Sequence, residues 1–406
     1  MAQGGRLLRR RYVTLAIAIT LAVSLLPFES ARAATQRRST IVWSDVDQSF
    51  TWAETAIDDV GATNEWMRDF APNADGTYPF QPSTIETRKY FARAVVLAFA
   101  PNEAVDPSIT FSDLDPSDVF YPAANIAVRL HWMKPTTSGT FAPDKPVTTT
   151  MVHRVLVLAL RLGPAVKSLN NLHTADGVTF RLPANFGALL LGMRLGLRYN
   201  SSNESMDVGP TTPLNRAQVA YSIYRATTQP SWDVPGLLAQ YQSIELPPLT
   251  PDQQQIVQWG VQYVGFPYVW GGEWGFSSSE PPSLGGQPVA GFDCSGFTWW
   301  LLRASDGGYW NVTPPRPYLG WSLPERSSAD MATIGKLTYD KLQPGDLMFY
   351  DGDGDGRVDH VDTFIGNGWA LDSSSTPGGV TIMWVGDGWY RDHFVHGRRV
   401  LQTVAG

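Results

Sequence analysis

Cysteine is almost missing from this sequence: 406 residues contain one, Cys294. A single thiol excludes an intramolecular disulfide, so Cys294 is either a small buried hydrophobe or a reactive group. Charge is also scarce, at 17% of residues, and it leans acidic, with a formal net of −7. An acidic chain is a poor partner for nucleic acid or anionic lipid. Long apolar runs are absent apart from Val13–Leu26, which is shorter than the roughly 20 residues a bilayer span requires. That run follows a cluster of arginines and ends in Ala31-Arg32-Ala33, which predicts a secretory signal peptide over residues 1–33. The segment carries five arginines and one glutamate, so its removal takes the net charge to −11. The mature chain is expected to be secreted, without a membrane span.

What the sequence does have is a repeat. "WSDVDQSFTWAETAI" aligns with "FSDLDPSDVFYPAANI", and "YPFQPSTIETRKYFARAVVLAF" aligns with "GTFAPDKPVTTTMVHRVLVLAL" and "DVGPTTPLNRAQVAYSIYRA". The units recur at somewhat over 60 residues, about 40–105, 106–168 and 169–226. In each, a proline-containing loop precedes a helical pattern with one apolar stripe: Phe91, Val95, Val96 and Phe99, then Val152, Val155, Leu156 and Leu160, then Val219, Ile223 and Tyr224. A short helix cannot bury such a stripe alone, so the three are expected to pack together. Trp43, Trp52 and Tyr121 stand at helix starts, where they are expected to serve as core.

These units resemble the S-layer homology (SLH) family through Trp43-Ser44-Asp45-Val46, Trp52, Ala56-Ile57, Phe141-Ala142-Pro143-Asp144 and Asn215-Arg216-Ala217-Gln218. The resemblance implies an all-α, three-unit module over residues 40–226 that binds cell-wall polysaccharide. It places the saccharide contacts at Thr87, Arg88, Asn215, Arg216 and Gln218, while the matching Thr148–Met151 has no arginine. A guanidinium fork suits an anionic sugar. A purely architectural module is the other reading.

Residues 227–249 are rich in proline and read as a linker. Thr250-Pro251-Asp252-Gln253 then forms a capping box, with a helix predicted to about Val264. Beyond it come "GFPYVWGG", "FDCSGFTWWLLRAS" and four predicted strands at 346–350, 360–366, 369–374 and 380–385. Helices first and strands later make residues 250–403 an α+β domain with a small antiparallel sheet. Cys294 then begins a helix and His360 begins a strand. A helix N-terminus and an imidazolium both favour the thiolate, the nucleophilic form of the group. Asp372 is the leading candidate to hold the far ring nitrogen of His360, with His393 and His396 as rival bases in a charged segment expected at the surface.

In order, "PYVWGG", "FDCSGF", "LQPGDLMFY" and "HVDTFIGNGWALDSS" resemble the NlpC-type wall peptidases, which are papain-like cysteine enzymes. The resemblance implies hydrolysis of amide bonds in peptidoglycan stem peptides, commonly between D-glutamate and a diamino acid, with no cofactor needed for the chemistry. Cys294 becomes the nucleophile, His360 the base and Asp372 the orienting group, where the family most often has histidine. Tyr268, Asp293 and Ser295 fall at substrate-binding positions. Met331 stands where the family pattern has glutamine, and the segment between "YVWGG" and "FDCSG" is a long rim loop. An inactive papain-like domain in a wall-binding structural protein, and an amidase or acyltransferase on the same scaffold, are the alternatives.

"DGDGDGRVDHVD" is a further motif. Asp351, Asp353, Asp355, Asp359 and Asp362 occupy positions one, three, five, nine and twelve of an EF-hand-type loop, with Arg357 offering its carbonyl at seven. A structural calcium ion is one reading and an Asp-Gly turn the other. Asp362 also lies two residues from His360, so a regular strand would turn both to one side and put Asp362 in the cleft.

Overall fold

The computed structural model describes residues 41–275, 277, 287–302 and 323–401. The predicted signal peptide and most of the rim loop lie outside the described residues. No helix among the described residues is long and apolar enough to cross a membrane.

The first half is built from helix pairs. α1 (Glu54–Ile57) runs into a wider turn at Asp58–Thr63, and α2 (Arg88–Phe99) packs against the helix that follows it. α3 (Tyr121–Arg129) precedes α4 (Thr149–Ala159), and α5 (Gly163–Leu169) and α6 (Phe186–Arg194) precede α7 (Arg216–Thr227). Most of each predicted stripe is buried: Phe91, Val95, Val152, Val155, Leu156, Val219 and Ile223 are fully buried in a shared core, while its last members, Phe99, Leu160 and Tyr224, are half-buried against it. Each fully buried side chain contributes roughly 1.5–3 kcal/mol relative to exposure. Tyr121 is core too, donating its hydroxyl to Ile109 O (2.8 Å), while Trp52 stacks on Tyr199 at 4.5 Å and Trp43 meets Phe80 edge-on at 5.4 Å.

Repetition in sequence becomes repetition in hydrogen bonds. Asp45 accepts from the amides of Phe80 and Gln81, and Asp113 accepts from those of Phe141 and Ala142, tying the openings of the first two units to their proline loops. The loops close a ring: Val147 N donates to Glu86 O, Leu214 N to Val147 O, and Glu86 N to Leu214 O. The helix starts follow the same rotation. Arg88 N bonds Lys145 O, Thr149 N bonds Thr212 O, and Arg216 N bonds Thr84 O, so each helix finds carbonyl partners for its first amides in the next unit. Each unit is thus completed by its neighbour.

The segment read as a linker holds a helix, α8 (Asp233–Tyr241), whose Tyr241 is fully buried and donates to Ile382 O at 2.7 Å. Its apolar positions Leu237 and Tyr241 are four apart, too short a pattern among prolines to read as periodic. Arg198 adds a further tie, donating to Gly265 O (2.7 Å) and to Gly378 O. The repeats and the C-terminal region therefore share one packed body.

That region starts with α9 (Pro251–Gly260), capped by Thr250 and Gln253 as expected, and a 3-10 turn to Tyr263. A two-residue pair, β1 (Glu273–Trp274) and β2 (Gly291–Phe292), leads to α10 (Cys294–Leu302). α11 (Ser328–Met331) precedes β3 (Leu347–Tyr350), β4 (His360–Gly366), β5 (Trp369–Ser374) and β6 (Gly379–Trp384). α12 (Gly388–Asp392) and β7 (Phe394–Arg398) follow, and the antiparallel sheet runs β6-β5-β4-β3-β7. One face buries Leu347, Phe349, Val361, Ile365 and Leu371 in the main core, and the other holds Met348, Tyr350, Phe364 and Ala370. β7 was not anticipated, because His396 and Arg398 made it look like a charged tail. Both are buried, His396 beside Ala332 O (3.0 Å) and Arg398 donating to Met331 O (3.0 Å).

Candidate active site

Cys294 is the first residue of α10 and is 8% exposed. Asp293, just before it, turns back to accept from Gly296 N (2.5 Å) and Ser295 Oγ (3.0 Å). Gly296 has no room for a side chain: a Cβ there would lie 2.0 Å from Gly272 O. Asp293 N is taken by Gly272 O and Gly296 N by Asp293. The amides of Cys294 and Ser295 are therefore the helix-end pair suited to a developing oxyanion.

Arg326 braces this turn. Its guanidinium donates to both carboxylate oxygens of Asp293 (3.2 and 3.1 Å), to Ser295 Oγ (2.7 Å) and to Glu273. Burial opposes the guanidinium charge, but Asp293 and Glu273 outweigh it and hold its pKa above the ordinary value. Neither Arg326 nor Glu273 was singled out in the sequence. Met331, at the expected glutamine position, is fully buried and faces no cleft.

His360 opens β4, and its Nε2 lies 3.1 Å from Asp372 Oδ1 on β5. Asp362 Oδ1 is at 3.2 Å from the same nitrogen. Both aspartates are fully buried. Tyr390, on α12, donates its hydroxyl to Asp372 Oδ2 at 3.0 Å, a contact with no signal in the sequence. Burial works against a charged ring, yet Asp362, Asp372 and the Cys294 thiolate together hold the His360 pKa well above the usual histidine value. With Nε2 engaged, Nδ1 is the atom left to exchange a proton with sulfur. Among the described residues no hydrogen bond joins that sulfur to the ring, and catalytic contacts of this kind commonly tighten only when substrate binds.

Tyr268, in the "PYVW" turn, donates its amide to Gly378 O (3.0 Å). Burial, then the Cys294 and Asp293 charges, push its phenol well up, so it stays a neutral donor beside the thiol. The two rival histidines are elsewhere engaged. His393 lies stacked on Trp389 at 4.6 Å, and His396, expected at the surface, is buried in β7.

The acidic loop divides. Asp351, Asp353 and Asp359 bring one oxygen each within 4.8 Å of one another. Their carboxylates already accept main-chain amides, Asp351 from Gly354, Asp355 and Gly356, and Asp359 from Gly352, while Asp355 accepts from Arg357 N. Asp362, the twelfth position, is not with them but against the His360 ring. The six positions of the expected calcium loop are thus not gathered at one point, because β4 begins at residue 360 and its pleat turns Asp362 inward.

Among the polysaccharide candidates, Asn215 and Gln218 form a capping box at the start of α7. Thr87 N donates to Glu86 Oε1 (2.9 Å). Arg216 is 1% exposed and Arg88 is 5% exposed, with Nε of each donating to a carbonyl of a neighbouring unit, Phe80 and Phe141. Arg88 nevertheless lines a cavity of about 350 Å³ together with Lys134, Lys145 and Arg154.

Residues 265–399 match the NlpC/P60 family. The chain is 32% identical over 132 residues to a gamma-D-glutamyl-L-lysine dipeptidyl-peptidase of Bacillus subtilis, covering 32% of this chain and 35% of that one. It is 34% identical over 123 residues to the peptidoglycan endopeptidase RipB of Mycobacterium tuberculosis, covering 29% and 42%. A solved NlpC/P60 family protein from Bacillus cereus is 27% identical over 38% of this chain and 42% of that one, with a TM-score of 0.28. The chain spans about a third to two-fifths of the length of these relatives. The C-terminal third of the chain, residues 265–399, is an NlpC/P60 domain.

Proposed function

We propose that the protein is a secreted peptidoglycan hydrolase that cleaves amide bonds in stem peptides, the bond between D-glutamate and a diamino acid first among them. The observation that carries this reading is the thiol of Cys294 at a helix start, electrostatically coupled to a histidine whose far nitrogen two carboxyl groups hold. The thiolate attacks the carbonyl, the helix-end amides hold the oxyanion, and the imidazolium protonates the leaving amine. Water then hydrolyses the acyl-thioester with the ring acting as base. Similarity to a gamma-D-glutamyl-L-lysine dipeptidyl-peptidase supports the choice of bond. Incubation with defined muropeptides, followed by mass spectrometry, tests it. Fragments newly bearing a diamino-acid amine are expected; cleavage at the muramyl-alanine link would make it an amidase, and intact substrate would remove the reading.

The repeats, in this reading, hold the enzyme to an anionic wall polysaccharide. The resemblance to SLH units supports this, as do the three-unit ring and the basic cavity beside Arg88. Lys134 and Lys145 are its exposed cations and take part in no described ion pair. Changing both to glutamate is expected to lower co-sedimentation with purified walls at least tenfold, with melting unchanged and the loss growing less evident as salt rises. Undiminished sedimentation of the double variant would place attachment elsewhere.

A further inference from the structure

One carboxylate is enough to orient an imidazole, yet the Nε2 of His360 has two, Asp372 Oδ1 at 3.1 Å and Asp362 Oδ1 at 3.2 Å. The ring nitrogen carries a single proton. Both carboxyl groups are fully buried, and neither oxygen of Asp362 has a hydrogen-bond partner among the described residues, its Oδ1 meeting the ring nitrogen as an ion pair. Two carboxylates buried within 4.8 Å of each other cannot both ionise cheaply, so one keeps a proton.

We propose that Asp362 is a positioning residue, a reserve orienter that meets the same ring nitrogen as Asp372 and holds the ring when Asp372 is lost. This rests on the thiol-hydrolase reading above. Strand geometry supplies the arrangement: residues 360 and 362 share one face of β4, and Asp372 lies on the adjacent β5. Other groups leave the second carboxyl no counter-charge. Tyr350 faces from β3 with its ring 5.6 Å from the imidazole, Tyr390 caps Asp372 from α12, and Cys294 adds negative charge from α10. The charge of Arg194 is felt at Tyr390 and Tyr241, and Tyr241 also senses that of Asp372. Burial and the neighbouring Asp372 push Asp362 up to about 8, which makes it the proton carrier at neutral pH. Burial opposes ionisation of Asp372 as well, but His360 and the hydrogen bond from Tyr390 hold it below the ordinary carboxyl range.

The test compares Asp372→Asn, Asp362→Asn and the double variant in the full chain. Each single change is expected to lower kcat by less than about a hundredfold, with KM little moved, because one carboxylate still grips the ring. The double is expected to lose at least ten times more than the product of the singles. Nitrogen-15 spectra of the six histidines give a readout independent of turnover. In Asp372→Asn the His360 ring should still titrate above its ordinary value, and in the double variant, with burial no longer offset by either aspartate, it should fall well below its value in Asp372→Asn. If the parent cleaves nothing, the hydrolase reading fails while these spectra still decide the role of Asp362. Asp372→Asn as slow as the double, with its ring already titrating as low as in the double, would overturn the proposal. So would activity lost to EDTA and restored by zinc alone, since the three atoms would then be metal ligands.

Discussion

Cys294→Ala is expected to reduce release of peptide fragments to background, a loss of at least about 10³-fold, without moving the melting temperature by more than a degree or two. The chemistry passes through a bond to sulfur, and nothing else near the helix start can form it: Ser295 Oγ is held by Asp293 and Arg326. Removing one sulfur from a site that is 8% exposed opens little void, so the fold should lose about 1 kcal/mol or less. His360→Ala should cost nearly as much, and the double variant no more than either alone, because the two act as a unit. Cys294→Ser keeps the shape but replaces a thiol with a far weaker acid, and should be almost as slow. Rates on a defined muropeptide check all four. A Cys294→Ala protein retaining more than a tenth of parental turnover would remove the thiol mechanism.

Much of this site could be read from the chain, and the unread parts have physical reasons. Cys294 before a helical run, His360 after "GDLMFY" and Asp372 in "WALDSS" announce themselves through local pattern and order. Asp362 carried two contradictory signals, a place in an Asp-Gly loop and a period-two relation to His360. Only the point where β4 begins decides between them. Tyr390 and Arg326 act across 18 and 33 residues of sequence, and no local pattern marks such partners. β7 was hidden because charged side chains there are paired rather than solvated, Arg398 with Glu325 among them. In the repeats, the apolar stripes were legible, whereas the ring of Glu86, Val147 and Leu214 is a property of three loops meeting, visible only once the units are placed together.

Arg216→Met should be the most destabilising single change in the repeats, costing roughly 3–5 kcal/mol and lowering the melting temperature by about 10 °C. Arg216 is 1% exposed and joins two units through Phe80 O (2.8 Å), Met67 O (3.1 Å), Glu86 Oε2 (2.9 Å) and Asp69 Oδ2 (2.8 Å). Methionine fills comparable volume, so packing alone predicts a small effect; the loss arises from two buried carboxyls and two carbonyls left without this partner. Asp69 keeps Arg93 at 2.5 Å, but Glu86 has no second cation among the described ion pairs. Burial already raises Glu86 to about 7 despite the opposing pull of Arg216. A carboxyl whose folded value lies above its unfolded one favours the fold when protonated. That contribution is complete below about 4.5 and is lost as pH rises through 7. Without Arg216 the folded value climbs further, so the gap in stability between variant and parent should be widest near pH 8 and narrow toward pH 5. Adding Glu86→Gln should recover part of it at pH 8. Thermal melts of the three proteins across that range measure this, and a gap that is small, or constant with pH, would mean the guanidinium serves only as filler.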